Sequence, residues 1–312
     1  MNLYKPEGML ISTQKNYEYI SSLSGLEKAL AKQITLEAPA LLCDHDLNLH
    51  IDLPGGIKGI IPRDEVVLQR SGEETKDIAI LTRVGKVVCF KVIGFKRSTN
   101  GDNIAILSRK AAQSECLHNY IASLACGDII PAKVTHLEHF GAFVDIGCGI
   151  ISLLSIDCIS VSRIAHPSAR LSCGDFVHVV VKSIDEKGRV YVSMRELLGT
   201  WEENAALFTE GETVRGVIRS VESYGVFVEL TPNLAGLAEY KDNVFSGQDA
   251  AVYIKSIIPE KMKIKLIIID AHDSEAKRPD SIEYFIDPES NYHIDSWQYS
   301  PSSCKRIVES LF

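Results

Sequence analysis

Two stretches of this chain repeat one another without a gap. CGDIIPAKVTHLEHFGAFVDI, beginning at Cys126, overlays EGETVRGVIRSVESYGVFVEL, beginning at Glu210. Gly127 falls on Gly211, Val134 on Ile218, Phe140 on Tyr224, Gly141 on Gly225, Phe143 on Phe227, Val144 on Val228 and Asp145 on Glu229. Leu153 then falls on Leu237 at the same offset. Further on, FVHVVVKSID answers AVYIKSII with Lys182 on Lys255, so the loop before this fourth strand is shorter in the later copy. A weaker copy lies upstream in APALLCDHDLNLHIDLPGGIKGIIPRDE, where Asp52 falls on Asp145, Leu53 on Ile146 and Gly56 on Gly149. Gly85 there corresponds to Gly174, and VVCFKVIGF reads as the fourth strand. Self-similarity at this period means tandem copies of one domain. Each copy holds about five short strands with turn punctuation, the pattern of a small barrel.

The glycine-rich run HFGAFVDIGCGI, His139 to Ile150, could be mistaken for an anion cradle. Its glycines do not follow G-x-G-x-x-G, no Lys follows as in a P-loop, and the next residues, IISLLSI, are β-branched and apolar rather than a helix start. The run reads instead as two strands joined by a turn at Gly147-Cys148-Gly149.

Bulk properties narrow the function. A net charge of −8 argues against a protein that holds nucleic acid by charge alone, because non-specific affinity comes from neutralised phosphates. No apolar run is long enough to span a bilayer. MNLYKPEGMLISTQ lacks the basic-then-apolar pattern of a signal peptide. The eight cysteines form no C-x-x-C, so reduced thiols and a cytoplasmic location are expected, with no disulfide framework. His136 and His139 have no Cys pair at zinc spacing, and no metal site or cofactor is expected. Nor is there G-x-S-x-G, HExxH or a recognisable carboxylate pair, so no enzyme is expected.

The repeat itself, G-x-x-V-x-G-x-V-x-x-[aromatic]-G-x-F-V-[acid]-L followed by G-x-x-V-x-V-x-V-x-x-I-D and R-x-x-x-S, resembles the S1 RNA-binding domain, an OB-type five-stranded barrel. The second copy matches over a whole domain, the third through GVFVEL, and the first only in its apolar frame. Three such copies are similar to the bacterial ribosomal protein S1 family and its shorter members. The resemblance implies a mainly β chain of three tandem OB-fold barrels with short helical linkers and a small α+β C-terminal extension. The expected divisions are a helical segment (1–34), a degenerate barrel (35–112), a barrel with a near-complete motif (124–198), a partly degenerate barrel (209–270) and a hairpin-and-helix extension (271–312).

It also implies single-stranded RNA as the partner, with translation or RNA handling as the role and the ribosome as a candidate partner. The family's RNA-contacting positions fall here on Phe140, Phe143, Ser155 (where the family has a His), Asp185 and Arg189. In the third copy they fall on Tyr224, Phe227, Glu239, Ile258 and Lys263. In the first they fall on Leu47, His50 and Lys96, so the stacking pair is lost and a basic loop, KRSTNGD, is the one nucleic-acid feature left. A different class of function, a protein-interaction scaffold whose barrels have drifted from RNA, is favoured by the acidity and the lost residues and opposed by the intact second copy.

Strand alternation supports the stacking role. Phe143 and Asp145 share one face, Val144 and Ile146 the other. The aliphatic pair suits the core, which sets Phe143 on the outer face, where it either stacks a base or packs on a neighbouring element. In the flanks, Leu23, Leu26 and Leu30 predict a helix within residues 12–32, capped near Ser24. Further helices are expected at 111–125 and 194–208, with Trp201 and Phe208 suited to docking on a barrel. DSEAKRPD reads as a charged linker, SIEYFIDPES and NYHIDSWQYS as two strands, and SSCKRIVESLF as a closing helix.

So few basic residues per copy can neutralise only a handful of phosphates. The log–log salt dependence of single-stranded RNA binding should therefore be shallow, with a slope on the order of −2 to −4 at about −0.7 per phosphate. Titrations at several salt concentrations measure it, and a much steeper slope would reveal a basic surface that this sequence does not show.

Overall fold

A computed structural model describes residues 4–69, 76–97, 101, 103–273 and 282–312. Part of the KRSTNGD loop and nearly all of DSEAKRPD lie outside the described residues. The chain divides into two compact units, residues 1–124 with 145–151, and residues 125–144 with 152–312.

The chain is mainly β. It opens with α1 (Gln14–Ile20) and α2 (Leu23–Lys32), followed by β1 (Leu36–Cys43), β2 (Leu49–Asp52) and β3 (Lys58–Ile61). Next come α3 (Asp77–Leu81), β4 (Val87–Arg97), β5 (Asn103–Ser108) and α4 (Arg109–Asn119). The second set is β6 (Ile129–Glu138), β7 (Gly141–Asp145), β8 (Ile151–Ser155), β9 (Phe176–Ile184) and β10 (Val190–Ser193). After α5 (Trp201–Ala205) come β11 (Thr213–Glu222), β12 (Gly225–Thr231), β13 (Leu234–Ala238), β14 (Asp249–Ile258) and β15 (Lys263–His272), then β16 (Ser296–Gln298) and β17 (Glu309–Leu311).

Strands β1–β5, β6–β10 and β11–β15 each form a closed five-stranded sheet with one topology. The first strand of each set neighbours the second and the fourth, and the third runs parallel beside the fifth. The short strands carry one inward face: Val134, Ala142, Val144 and Leu154 are fully buried in the second sheet, and Ile218, Val226, Val228 and Leu234 in the third. Trp201 on α5 packs into the third core together with Trp297 and Tyr299 of the tail.

A glycine opens the second strand in two of the sheets for a steric reason. A Cβ on Gly141 would lie 2.4 Å from the Leu154 carbonyl oxygen, and one on Gly225 would lie 2.5 Å from that of Ala238. Only a residue without a side chain lets the second strand approach the third so closely.

Four expectations are corrected. The N-terminal segment is two helices, capped by Thr13 and Ser22 rather than near Ser24, because these side chains accept from the Asn16 and Gly25 N–H groups. The 194–208 segment is a 3-10 turn at Arg195–Leu198 followed by the short α5. SSCKRIVESLF is not a helix: Glu309–Leu311 pairs antiparallel with Ser296–Gln298, and this two-stranded sheet replaces the expected hairpin around Asp287. The Asp287–Ser290 turn itself is present, with Asp287 accepting from Glu289 N at 3.0 Å.

The fourth correction concerns Asp145, which alternation placed on the outer face. It is buried in the first unit, accepting from the backbone N–H groups of Glu7 (2.7 Å), Gly147 (2.8 Å) and Gly149 (2.9 Å). Glu7 in turn pairs with the Arg109 guanidinium at 2.6 Å. Burial opposes ionisation of Glu7, but Arg109 overcomes it and leaves that carboxyl below its usual range. Burial and the Glu7 charge push the Asp145 carboxyl up to about 7. Glu37 is pushed up to about 7 by burial as well, against hydrogen bonds from the N–H groups of Gly8, Leu10 and Ile11.

Between about pH 4 and 7 the folded chain therefore keeps protons on Asp145 and Glu37 that the unfolded chain has released. Their stabilisation is complete below the unfolded carboxyl value and is lost as pH rises through about 7. Thermal melts should show a lower Tm at pH 8 than at pH 5.5, and Asp145→Asn together with Glu37→Gln should flatten that difference.

Candidate nucleic-acid interface

The hairpin β6–β7 places two aromatic rings outside the second barrel. Phe140, in the turn before β7, is 54% exposed, and Phe143 in mid-strand is half-buried, while its neighbour Val144 is fully buried. The rings meet edge to face, with centroids 6.0 Å apart and planes at 87°. His136 stacks on Phe143 at 6.5 Å and pairs with Glu138 at 2.8 Å. His136 is thus committed to a ring and a carboxylate, and among the described residues no cluster of His, Cys, Asp and Glu is arranged to hold a metal ion.

The third barrel repeats this geometry. Tyr224 is 68% exposed and meets Phe227 at 6.2 Å and 87°. Among the described residues the first barrel shows no such pair. Leu47 packs against that barrel's own core, and His50 pairs with Asp44 at 3.0 Å.

The remaining positions are placed as follows. Ser155 ends β8 and lines a cleft of about 280 Å³ with Leu153, Lys182, Ser183, Tyr191 and Val192. Asp185 closes the β9–β10 turn, accepting from Lys187 N (2.9 Å) and Arg189 N (2.8 Å). These backbone bonds, Arg189's first, hold its carboxyl below the usual range, and the Arg189 guanidinium approaches it at 3.5 Å. Asp185 therefore organises the turn from which exposed Arg189 projects. In the third barrel Lys263 is exposed and pairs in register with Ile258, which stands where the second barrel has Asp185.

Two groups that the sequence motif passed over share this face. Tyr191 pairs in register with Leu153 and Ser183, and its hydroxyl lies 3.5 Å from Asp185 Oδ2. Alternation in VYVS between buried Val190 and Val192 already points it outward. Lys182 reaches the Cys158 thiol at 3.0 Å, a bond that raises its own pKa, so it is cationic at neutral pH. The repeat aligns Lys182 with Lys255 but does not give its orientation, because the irregularity that turns it outward is visible only in the strand register.

Small closed barrels with exposed aromatic rings occur among the modules that bind single-stranded nucleic acid. Residues 123–195 match the family model described as S1 RNA binding domain. Over most of its length the chain is similar to small ribosomal subunit protein bS1. It is 30% identical over 264 residues to the bS1 homolog of Bacillus cereus, covering 82% of this chain and 64% of that protein. It is 28% identical over 275 residues to bS1 of Staphylococcus saprophyticus, covering 83% and 65%. The chain thus spans just under two thirds of the length of these relatives. Among solved structures, a multidomain protein with nucleic acid binding domains from Streptococcus pneumoniae aligns at 14% identity and a TM-score of 0.25, covering 76% of this chain and 73% of that one.

Proposed function

We propose that this chain binds single-stranded RNA, in translation or RNA handling, through three tandem S1-type OB barrels of which the second and third contact the strand. The observation that carries this reading is the exposed edge-to-face aromatic pair, built twice with nearly the same spacing and angle. Exposed aromatic rings on a barrel give a single strand stacking surfaces whatever its sequence, which suits an acidic protein that cannot rely on bulk charge.

The contact residues in this reading are Phe140, Phe143, Ser155, Asp185 and Arg189 in the second barrel and Tyr224, Phe227 and Lys263 in the third. Phe140 and Tyr224 stack bases, Phe143 and Phe227 back them and take a second base, and Arg189 and Lys263 meet phosphate. Ser155 offers a hydroxyl where the family has an imidazole, and Asp185 holds Arg189's turn in place. The ribosome is the candidate assembly partner, by similarity to relatives named as small ribosomal subunit proteins. The cytoplasm is the proposed location, and none of these residues is assigned a catalytic step. Among the described residues, no helix is long and apolar enough to cross a membrane.

The test separates binding from folding. Phe140→Ala and Tyr224→Ala remove exposed rings, so each should lose about 1–3 kcal/mol of RNA binding while stability changes by no more than about 0.5 kcal/mol. Val144→Ala, on the buried face, should lower Tm and leave the affinity of the folded protein intact. Anisotropy titrations with unstructured RNA and parallel thermal melts read both quantities. Unchanged RNA affinity in the Phe140→Ala, Tyr224→Ala double variant would refute the reading.

A further inference from the structure

The fourth strand of every barrel carries an extra residue at an equivalent place. In the second barrel Tyr191 pairs with Ser183 and Val192 with Val181, so Lys182 is bulged out of the ladder. In the third, Lys265 pairs with Ser256 and Leu266 with Ile254, which leaves Lys255 as the bulged residue. In the first, Ile106 pairs with Gly94 and Leu107 with Val92, and the bulged residue is Ile93. Each bulge follows a positive-φ glycine at the same distance along the chain: Gly85 before Ile93, Gly174 before Lys182, Gly247 before Lys255. A bulge inserts one residue against the pleat and re-aims its side chain, and such irregularities concentrate beside binding sites.

The chemistry at the bulge follows the chemistry of the hairpin. It is Lys in the two barrels that bear the aromatic pair and Ile in the barrel that lacks it. In the second barrel Leu153 on β8, Tyr191 on β10 and Ser183 beside Lys182 on β9 pair in a row that ends at the bulge, and β8 neighbours β7, the strand that carries Phe143. There Lys182 borders the cleft of about 280 Å³ that Ser155, Ser183 and Tyr191 also line. In the third barrel the corresponding row is Phe227, Leu237, Lys265 and Ser256, again ending at the bulge with Lys255 exposed.

We propose that Lys182 and Lys255 are phosphate anchors, each fixing the RNA backbone at the far side of a barrel whose aromatic pair holds the bases, with Tyr191 a further stacking surface in the second barrel. This rests on the single-stranded RNA reading above. The strand then crosses each barrel from the β6–β7 or β11–β12 hairpin to the fourth strand. Ser183, exposed beside Lys182 in the cleft, is placed to donate to a phosphate or ribose oxygen, while the Ser155 hydroxyl is held by the Asp157 carboxylate. The first barrel, with Ile93 at the bulge, has no anchor and stands outside the strand's path.

The experiment uses the full chain and unstructured uridine-rich RNA, with affinity measured across a series of salt concentrations. A lysine on phosphate weakens binding uniformly across sequences when removed and takes its share out of the salt dependence. Lys182→Gln and Lys255→Gln should each make the log–log slope shallower by about 0.7, and the double variant by about twice that. Lys182→Arg should restore the slope, and Ile93→Gln should change neither slope nor affinity. Thermal melts confirm that each variant is folded. A slope left unchanged in the double variant, while Phe140→Ala still weakens binding, would overturn the anchors and leave the RNA reading standing. RNA affinity indifferent to both the lysines and the aromatics would overturn the reading and the anchors with it.

Discussion

The close approach of the second strand to the third is the constraint from which the interface follows. Gly141 and Gly225 permit it, since any side chain there would strike the backbone of the strand opposite. Once the strands are that close, the residue before the glycine is left in the turn, and the residue two after it stands on the outer face. Phe140 and Phe143 in one barrel, and Tyr224 and Phe227 in the other, are thus set at the same two places by the backbone, and their rings meet edge to face. The first barrel shows the consequence of departing from this pattern. With Leu47 and His50 at these positions, one side chain packs into its own core and the other is taken up by Asp44.

The same division between frame and decoration holds across the barrel. Strand order, the parallel third-to-fifth pairing and the bulge on the fourth strand recur in all three sheets. What varies is the side chain that each irregularity presents. Mutation could change Lys182 to Ile93's chemistry without disturbing a single ladder bond, because a bulged residue is already outside the ladder. A repeated barrel can thus change the side chain it presents while its fold is untouched, and this chain holds both Lys and Ile at the bulge.

Much of this was legible in the sequence, and the failures have physical causes. The gapless repeat and the alternation through AFVDI located the second strand, its buried Val144 and its outward Phe143. Alternation failed at Asp145 because its burial depends on the Glu7 N–H, 138 residues away in the chain, a contact that local pattern cannot carry. The closing segment SSCKRIVESLF has helix-compatible residues, but a three-residue pairing with Ser296–Gln298 decides its conformation. In the N-terminal segment, Ser22 rather than Ser24 caps the second helix; both serines fit the cap chemistry, and only backbone geometry chooses between them. Lys182 and Lys255 aligned in the repeat, yet their significance depends on a register shift that no residue type announces.

The central claim is that RNA lies along the aromatic faces of the second and third barrels and avoids the first. Photocrosslinking of 4-thiouridine-substituted single-stranded RNA to the full chain, followed by peptide mapping, tests it most directly. Adducts on the peptides carrying Phe140 and Phe143, Tyr191, and Tyr224 and Phe227, with none from the β1–β5 barrel, are the predicted result. Adducts concentrated in the β1–β5 barrel, with the aromatic peptides unmodified, would contradict the account.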